Sequence, residues 1–290
     1  MSGTIGFIGL GVMGEPMCRN LAEKSGRKVQ AFDMRPEPLE RLAAAGVRAA
    51  ASAEEAGRDA EVVFLSLPAG PQVEAVVRGL LPSLRAGQVI VDTSTAPVAL
   101  ERQLSAEAGA KRAAYADAPV ARTRAAAEAG TLSITVGAEP DVYAAIEPLL
   151  RCMGSDVLHC GPVGCGQVVK LMNNMVLFET VVALAEAMAV ARRAGVDEAL
   201  LLEALGNGSA DSFALRNHGM KAMLPRAFPE AAFPTDYAIK DVTYALDLAA
   251  EMGVEARGAR LAREILERSS AAGQGGAYFP ALIRLIDGEV

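Results

Sequence analysis

Gly9-Leu10-Gly11-Val12-Met13-Gly14, directly behind Thr4-Ile5-Gly6-Phe7-Ile8, decides the fold of this chain. A β-branched and aromatic run reaches a glycine turn and passes into a helix-like segment. Backbone N–H groups at such a helix start point outward and carry partial positive charge, so a pyrophosphate can rest against them. The first glycine makes the turn, the second lets phosphates approach, and the third lets the helix pack close to the strand. Asp33 completes the pattern. It ends the next strand-like run, Val29-Gln30-Ala31-Phe32-Asp33, about 20 residues beyond the glycines, where an acid accepts hydrogen bonds from the adenosine ribose. A lone glycine motif says little; strand, glycines and acid together point to a bound dinucleotide.

The same alternation continues outward. Strand-like runs fall at 4–8, 29–33, 62–67, 89–92, 113–117, 132–136 and 155–160, with alanine- and leucine-rich stretches between most of them. Strands alternating with helices predict a parallel sheet covered on both faces. From about 163 the strands stop. A long apolar helix is expected from Gly164 to Ala194, ending at Gly195, with further helices near 197–206, 212–223, 234–252, 257–271 and 279–287. The expected architecture is α/β: an N-terminal Rossmann dinucleotide-binding domain over 1–162, then an all-α substrate and oligomerisation domain over 163–290, joined by the long interdomain helix.

Composition narrows the classes. The chain has 290 residues, 51% of them hydrophobic, and a formal net charge of −7, so a large core is available and the basic surface that nucleic acid requires is missing. No leader is recognisable at the N-terminus, and the most apolar stretch, Met175 to Ala194, is broken by Glu179, Glu186, Arg192 and Arg193. The expectation is a cytoplasmic protein that spans no membrane. Cys18, Cys152, Cys160 and Cys165 contain no C-x-x-C, and His159 beside Cys160 fits no standard zinc spacing, so small buried thiols and no metal are expected. Alanine-rich helices with few aromatic side chains predict apolar faces that one small domain cannot cover, hence a homodimer or homotetramer.

Within the long helix, Lys170 and Asn174 stand four residues apart and share a face. On an apolar helix a lysine is partly desolvated, which lowers its pKa and makes it a usable proton donor and acceptor near neutrality. The same spacing also suits an ordinary lysine lying along the helix edge with its ammonium in water. Helix position alone favours the second reading.

Three further segments follow the glycine turn in order: Asp117-Ala118-Pro119-Val120, then Gly161-Pro162-Val163-Gly164-Cys165-Gly166 leading to Lys170 and Asn173-Asn174, then Phe233-Pro234-Thr235-Asp236-Tyr237-Ala238-Ile239-Lys240-Asp241. With them the chain resembles, over nearly its whole length, the β-hydroxyacid dehydrogenase family, which includes 3-hydroxyisobutyrate dehydrogenase, tartronate semialdehyde reductase and sulfolactaldehyde reductase. The resemblance implies an enzyme that interconverts a small anionic 3-hydroxy acid and its semialdehyde by hydride transfer. It makes Lys170 the general acid and base, and Asn174 with Asn173 substrate-placing residues. It puts Leu67 and Pro68 beside the cofactor's adenosine side, Thr95 of Asp92-Thr93-Ser94-Thr95 at the nicotinamide end, and Lys240 near the cofactor. Gly9 to Gly14, Asp33 and Met34 complete the cofactor set.

Ala121-Arg122-Thr123 stands where many members carry Ser-Gly-Gly and is similar to the Gly-Arg-Thr of sulfolactaldehyde reductases. Arg122, with Thr123, is therefore expected on the substrate's carboxylate or sulfonate; an exposed loop arginine is the plain alternative. Asp33 favours a free ribose hydroxyl, so NAD is expected over NADP, with Arg35 as a complication and Met34 in the place where NADP-preferring members carry arginine. Phe178, Phe233 and Tyr237 are candidate pocket walls. Imine reduction, against which Lys170 argues, and a non-catalytic dinucleotide sensor are the competing classes.

Overall fold

The computed structural model describes residues 3–230 and 232–290. The strands are β1 (Thr4–Ile8), β2 (Val29–Phe32), β3 (Arg48–Ala49), β4 (Ala60–Leu65), β5 (Val89–Asp92), β6 (Ala114–Asp117), β7 (Val120–Ala121), β8 (Leu132–Gly137) and β9 (Gly154–Gly161). Among the described residues these nine form one sheet in the order β3-β2-β1-β4-β5-β6-β8-β7, with β9 paired to β8. From β3 to β6 every pair is parallel. The order turns around at β1, whose neighbours are β2 and β4; in such sheets a crevice opens there, at the carboxyl ends of the strands.

Helices α1 (Gly14–Lys24), α2 (Pro36–Ala43), α3 (Ala53–Arg58), α4 (Gly70–Leu80), α5 (Val98–Ala110), α6 (Arg124–Ala129) and α7 (Pro140–Met153) connect the strands. Side chains alternate across a strand, so a strand covered on both faces is apolar without a break. β4 shows it. Phe64 enters one core with Ile5 and Phe7, while Val63 and Leu65 enter the other with Ile90 and Leu104. Phe7 and Phe64 lie ring over ring, 6.1 Å between centroids.

The far edge departs from the parallel expectation. β8 runs antiparallel to β6 and to β7, and only β8 and β9 are parallel there. A short apolar run has the same alternation whichever way its neighbour runs, so direction is not written in it. The two-residue strands β3 and β7 are likewise too short to leave a pattern. β4 ends at Leu65, two residues short of the run expected from sequence: the Ser66 N–H still donates to the Ile8 carbonyl at 2.9 Å, but the Leu67 N–H donates to the Ser94 hydroxyl instead.

The long helix is α8 (Cys165–Arg193). Contacts divide the chain within it, into units Met1–Lys170 and Leu171–Val290. The second unit is helical: the rest of α8, α9 (Glu198–Gly206), α10 (Thr235–Glu251), α11 (Arg257–Ser269) and α12 (Ile283–Asp287). Its core gathers Phe178, Val181, Met188, Leu215, Val242 and Phe279. The helix expected over 212–223 is a π-helical segment, Leu215–Met223, begun by the Ser212 hydroxyl, which accepts the Leu215 N–H at 3.0 Å. α11 stops at Ser269 and widens into a π-helical turn that holds Gly273 at φ +86.

Of the described helices, α8 alone has the length and hydropathy to cross a bilayer, and 50% of its most apolar window is buried inside the protein. The thiols are all free, but only Cys18 is buried; Cys152, Cys160 and Cys165 are half-buried, a correction to the expected set of buried cysteines.

Candidate functional site

In the first unit, most candidate residues sit at the ends of six strands, β1, β2, β4, β5, β6 and β7. Behind β1, Gly9 takes φ +92, a conformation open to glycine at little cost. A Cβ on Gly14 would run into the Gly9 carbonyl, whereas one on Gly11 would meet nothing within 4 Å. The turn is thus tight where helix meets strand and open where phosphates would approach. Asp33, just past β2, braces it: Oδ2 accepts the Leu10 N–H at 2.6 Å. Its Oδ1 accepts the Arg35 N–H at 2.9 Å and faces Arg35 Nε at 3.5 Å. Val12 and Met34 are exposed beside this turn, and Met13 is half-buried.

Behind β4, the Leu67 N–H donates to Ser94 Oγ at 2.8 Å, with Pro68 exposed beyond it. Behind β5, the Thr93 hydroxyl donates to the Leu65 carbonyl at 2.6 Å, and the Ser94 N–H donates to Asp92 Oδ1 at 3.0 Å. Thr95 follows, half-buried, in a loop fixed from both sides.

Behind β6, Asp117 is fully buried and caps the start of α8. Its two carboxylate oxygens accept the Gly164 N–H at 2.6 Å and the Gln167 N–H at 2.7 Å. Burial pushes this carboxyl up to about 6 despite those donors. Glu101, also fully buried, is held well above the usual carboxylate range by burial and by nearby Asp92. Lys170 follows one turn after Gln167, half-buried.

Arg122 takes φ +85 on the loop after β7. Its guanidinium donates to the Thr131 carbonyl at 2.6 Å, to Ser155 Oγ at 3.0 Å and to Asp156 Oδ2 at 2.6 Å. The expected anion-binding fork therefore already faces an acid. Thr123 caps α6, its hydroxyl oxygen accepting the Ala126 N–H at 3.4 Å. His159 Nε2–H donates to the Ala138 carbonyl at 2.8 Å, and the ring stacks on Tyr143 at 4.5 Å. Among the described residues no group of three or more His, Cys, Asp or Glu could hold a metal ion.

In the second unit, Asn173 Nδ2 donates to Asn174 Oδ1 at 3.1 Å, and buried Asn174 donates to Asp241 Oδ2 at 2.7 Å. Asp241 Oδ1 lies 3.1 Å from Lys240 Nζ, which stands over the Tyr237 and Tyr244 rings at 5.5 and 5.6 Å. One chain of polar contacts thus joins Asn173, Asn174, Asp241 and Lys240. Phe178 is no pocket wall: it is fully buried and packs edge-on against Phe279 at 5.2 Å. Tyr237 is exposed.

The family described as the NAD binding domain of 6-phosphogluconate dehydrogenase matches residues 4–161. The one described as NAD-binding of NADP-dependent 3-hydroxyisobutyrate dehydrogenase matches residues 164–286. The chain belongs to the β-hydroxyacid dehydrogenase family. It is an NAD(P)-binding oxidoreductase of the 3-hydroxyacid dehydrogenase type. Among curated relatives, the 2-(hydroxymethyl)glutarate dehydrogenase of Eubacterium barkeri is 34% identical over 284 residues, covering 97% of this chain and 94% of that one. The 3-hydroxyisobutyrate dehydrogenase of Pseudomonas aeruginosa is 37% identical over 237 residues, covering 81% and 78%. Among solved structures, Mycobacterium tuberculosis 3-hydroxyisobutyrate dehydrogenase with L-serine has TM-score 0.91 at 32% identity, covering 99% of both chains.

In the sequence of this dehydrogenase, Gln167, Glu101 and the pairing of Asp241 carry almost no signal. All three act through partners far along the chain: Gln167 meets Ser94 and Asn174 meets Asp241. The one local signal was a glutamine one turn before Lys170 in an apolar helix.

Proposed function

We propose that this dehydrogenase uses NAD to oxidise a small anionic 3-hydroxy acid, or NADH to reduce its semialdehyde, with Lys170 as the proton-handling group. The observation that carries the reading is the start of α8. A buried carboxylate caps it on the same unit as the open glycine turn, and Lys170 follows one turn later. Gly9 to Gly14 would hold the pyrophosphate, Asp33 the ribose, Leu67 and Pro68 the adenosine side, and Thr95 the nicotinamide end. When bound, the cofactor exchanges hydride with the substrate carbon. Lys170 Nζ delivers a proton to the carbonyl oxygen in reduction and takes it from the hydroxyl in oxidation. Asn174 orients the substrate oxygen, with Asn173 and Lys240 beside it.

The substrate class follows from the relatives. 3-Hydroxyisobutyrate, L-serine and 2-(hydroxymethyl)glutarate share one skeleton, a hydroxymethyl on the carbon that bears the carboxylate. We place that skeleton here, with 3-hydroxyisobutyrate the leading candidate and sulfolactaldehyde or tartronate semialdehyde reduction the alternative. Arg122 joins the substrate by exchanging Asp156 for the substrate's anion. NAD is favoured because Asp33 repels a 2′-phosphate and already holds the nearby Arg35. The division at 162/163 and a cytoplasmic site of action belong to the same proposal.

The test is a panel of these acids and semialdehydes with both cofactors, run on the full chain and on Lys170→Met. Turnover should fall by about 10²–10⁴ in the variant while NADH still binds. A folded Lys170→Met that turns over normally sinks the mechanism. NADH binding without turnover of any compound leaves a dinucleotide sensor.

A further inference from the structure

Gln167 is fully buried, and its side-chain amide is used on every side. Nε2 donates to the Ser94 carbonyl at 2.8 Å and to Glu101 Oε1 at 3.4 Å. Oε1 accepts the Ala96 N–H at 3.4 Å. Turning the amide over would set oxygen against the Ser94 carbonyl and nitrogen against an N–H donor, so the network itself fixes the orientation. The two backbone groups it grips flank Thr95 on either side. The Gln167 N–H is meanwhile anchored to Asp117 at 2.7 Å.

We propose that Gln167 is a positioning residue for hydride transfer: its amide grips the backbone before and after Thr95 and ties that loop to the helical turn carrying Lys170. The proposal rests on the reading given above, in which Thr95 borders the nicotinamide and Lys170 handles the proton. Lys170 stands three positions after Gln167 on α8, about one turn of helix. Any slide of the loop past the lysine must break the amide's bonds. Displacing reacting groups by about 1 Å can cost on the order of 10²-fold in rate, so a clamp of this kind acts on kcat. The residue type fits the surroundings. Asp92, Glu101 and Asp117 are all buried nearby, and a neutral side chain with a donor and an acceptor meets a carbonyl, an N–H and a carboxyl together without adding charge.

Two variants of the full enzyme test it. Gln167→Leu keeps the bulk and removes every side-chain hydrogen bond. Gln167→Glu, when protonated, restores both backbone contacts: its O–H donates to the Ser94 carbonyl and its C=O accepts the Ala96 N–H. The expected results for Gln167→Leu are a kcat lowered about 10–100-fold, a substrate KM nearly unchanged, and a larger primary isotope effect with NADH deuterated at the transferred position. For Gln167→Glu, kcat should approach the parent value at low pH and fall through an ionisation that neither the parent nor Gln167→Leu shows. Wild-type kcat and isotope effect in Gln167→Leu overturn the proposal. If the leucine variant does not fold, a Gln167→Glu profile identical to the parent's overturns it instead. Lys170→Met separates the two claims: if it turns over, the proton assignment fails; if it is dead while both Gln167 variants behave as wild type, only the clamp fails.

Discussion

At the scale of single residues, Arg122 is the most informative. It holds φ +85, where a side chain costs about 1 kcal/mol or more relative to glycine, and its ion pair with Asp156 is half-exposed and screened by water, a gain of similarly small size. The two nearly cancel. Arg122→Gly should therefore unfold within about 1 kcal/mol of the parent, and Arg122→Ala, which loses the pair and keeps the strain, about 1 kcal/mol below the glycine variant. Both should raise the substrate KM; an unchanged KM in both would leave Arg122 as a loop tether to Asp156. Two buried groups set the acid response. Burial holds His218, whose Nδ1 lies 2.6 Å from the Tyr278 hydroxyl, down to about 4. The unfolded imidazole takes its proton near 6.5 and the folded one near 4, so stability present above pH 6.5 is lost as pH falls toward 4, on the order of 3 kcal/mol in all. Asp117, raised to about 6, acts in the opposite sense: the fold keeps the proton that the unfolded chain releases near 4, so stability declines as pH rises from 4 to 6. Hydrogen exchange should show the second unit loosening on acidification from pH 6.5 to 4, with His218→Phe flattening that slope. A slope unchanged by the substitution would remove His218 from the account.

At the scale of elements, the glycine turn separates fold from binding. Gly14 abuts the Gly9 carbonyl, so Gly14→Ala must push α1 off β1 and lower the melting temperature. Gly11 has open space where a Cβ would stand, so Gly11→Ala should melt like the parent yet bind NADH at least tenfold more weakly. Equal NADH affinity for Gly11→Ala and the parent would move the phosphate site elsewhere. The strand-turn-helix was legible because its signals are local: an apolar run, glycines at fixed offsets, an acid on the next strand. Lys170 and Asn174 were legible as a helix face for the same reason. The antiparallel β8, the two-residue β3 and β7 and the π-helical turns were not, since no residue within them distinguishes direction or hydrogen-bond step. Gln167 was hidden for a related reason. A buried glutamine's worth lies in which distant backbone atoms it meets, and sequence spacing carries no record of that.

At the scale of the whole molecule, one exposed row asks for a partner. On α8, Val169, Val176 and Val190 are 40%, 58% and 65% exposed, and Ala183 between them is exposed as well. The four stand seven residues apart, and a seven-residue spacing drifts only about 20° per repeat around an α-helix, so the row stays on one side along its length. Small and β-branched residues in such a row let two helices approach closely, and a second copy presents the same row, which is the requirement of a two-fold interface. Charge on this row should therefore split the assembly without touching Lys170 or Gln167. The parent should run in light scattering at two or four times its 30.1 kDa. Ala183→Glu with Val190→Glu should run at the single-chain mass with unchanged circular dichroism. Each glutamate would bring its charge into an apolar seam at several kcal/mol unless paired, more than a seam of a few valines supplies. A parent that is monomeric at micromolar concentration, or a double variant whose mass does not change, would show that another face, or none, joins the copies.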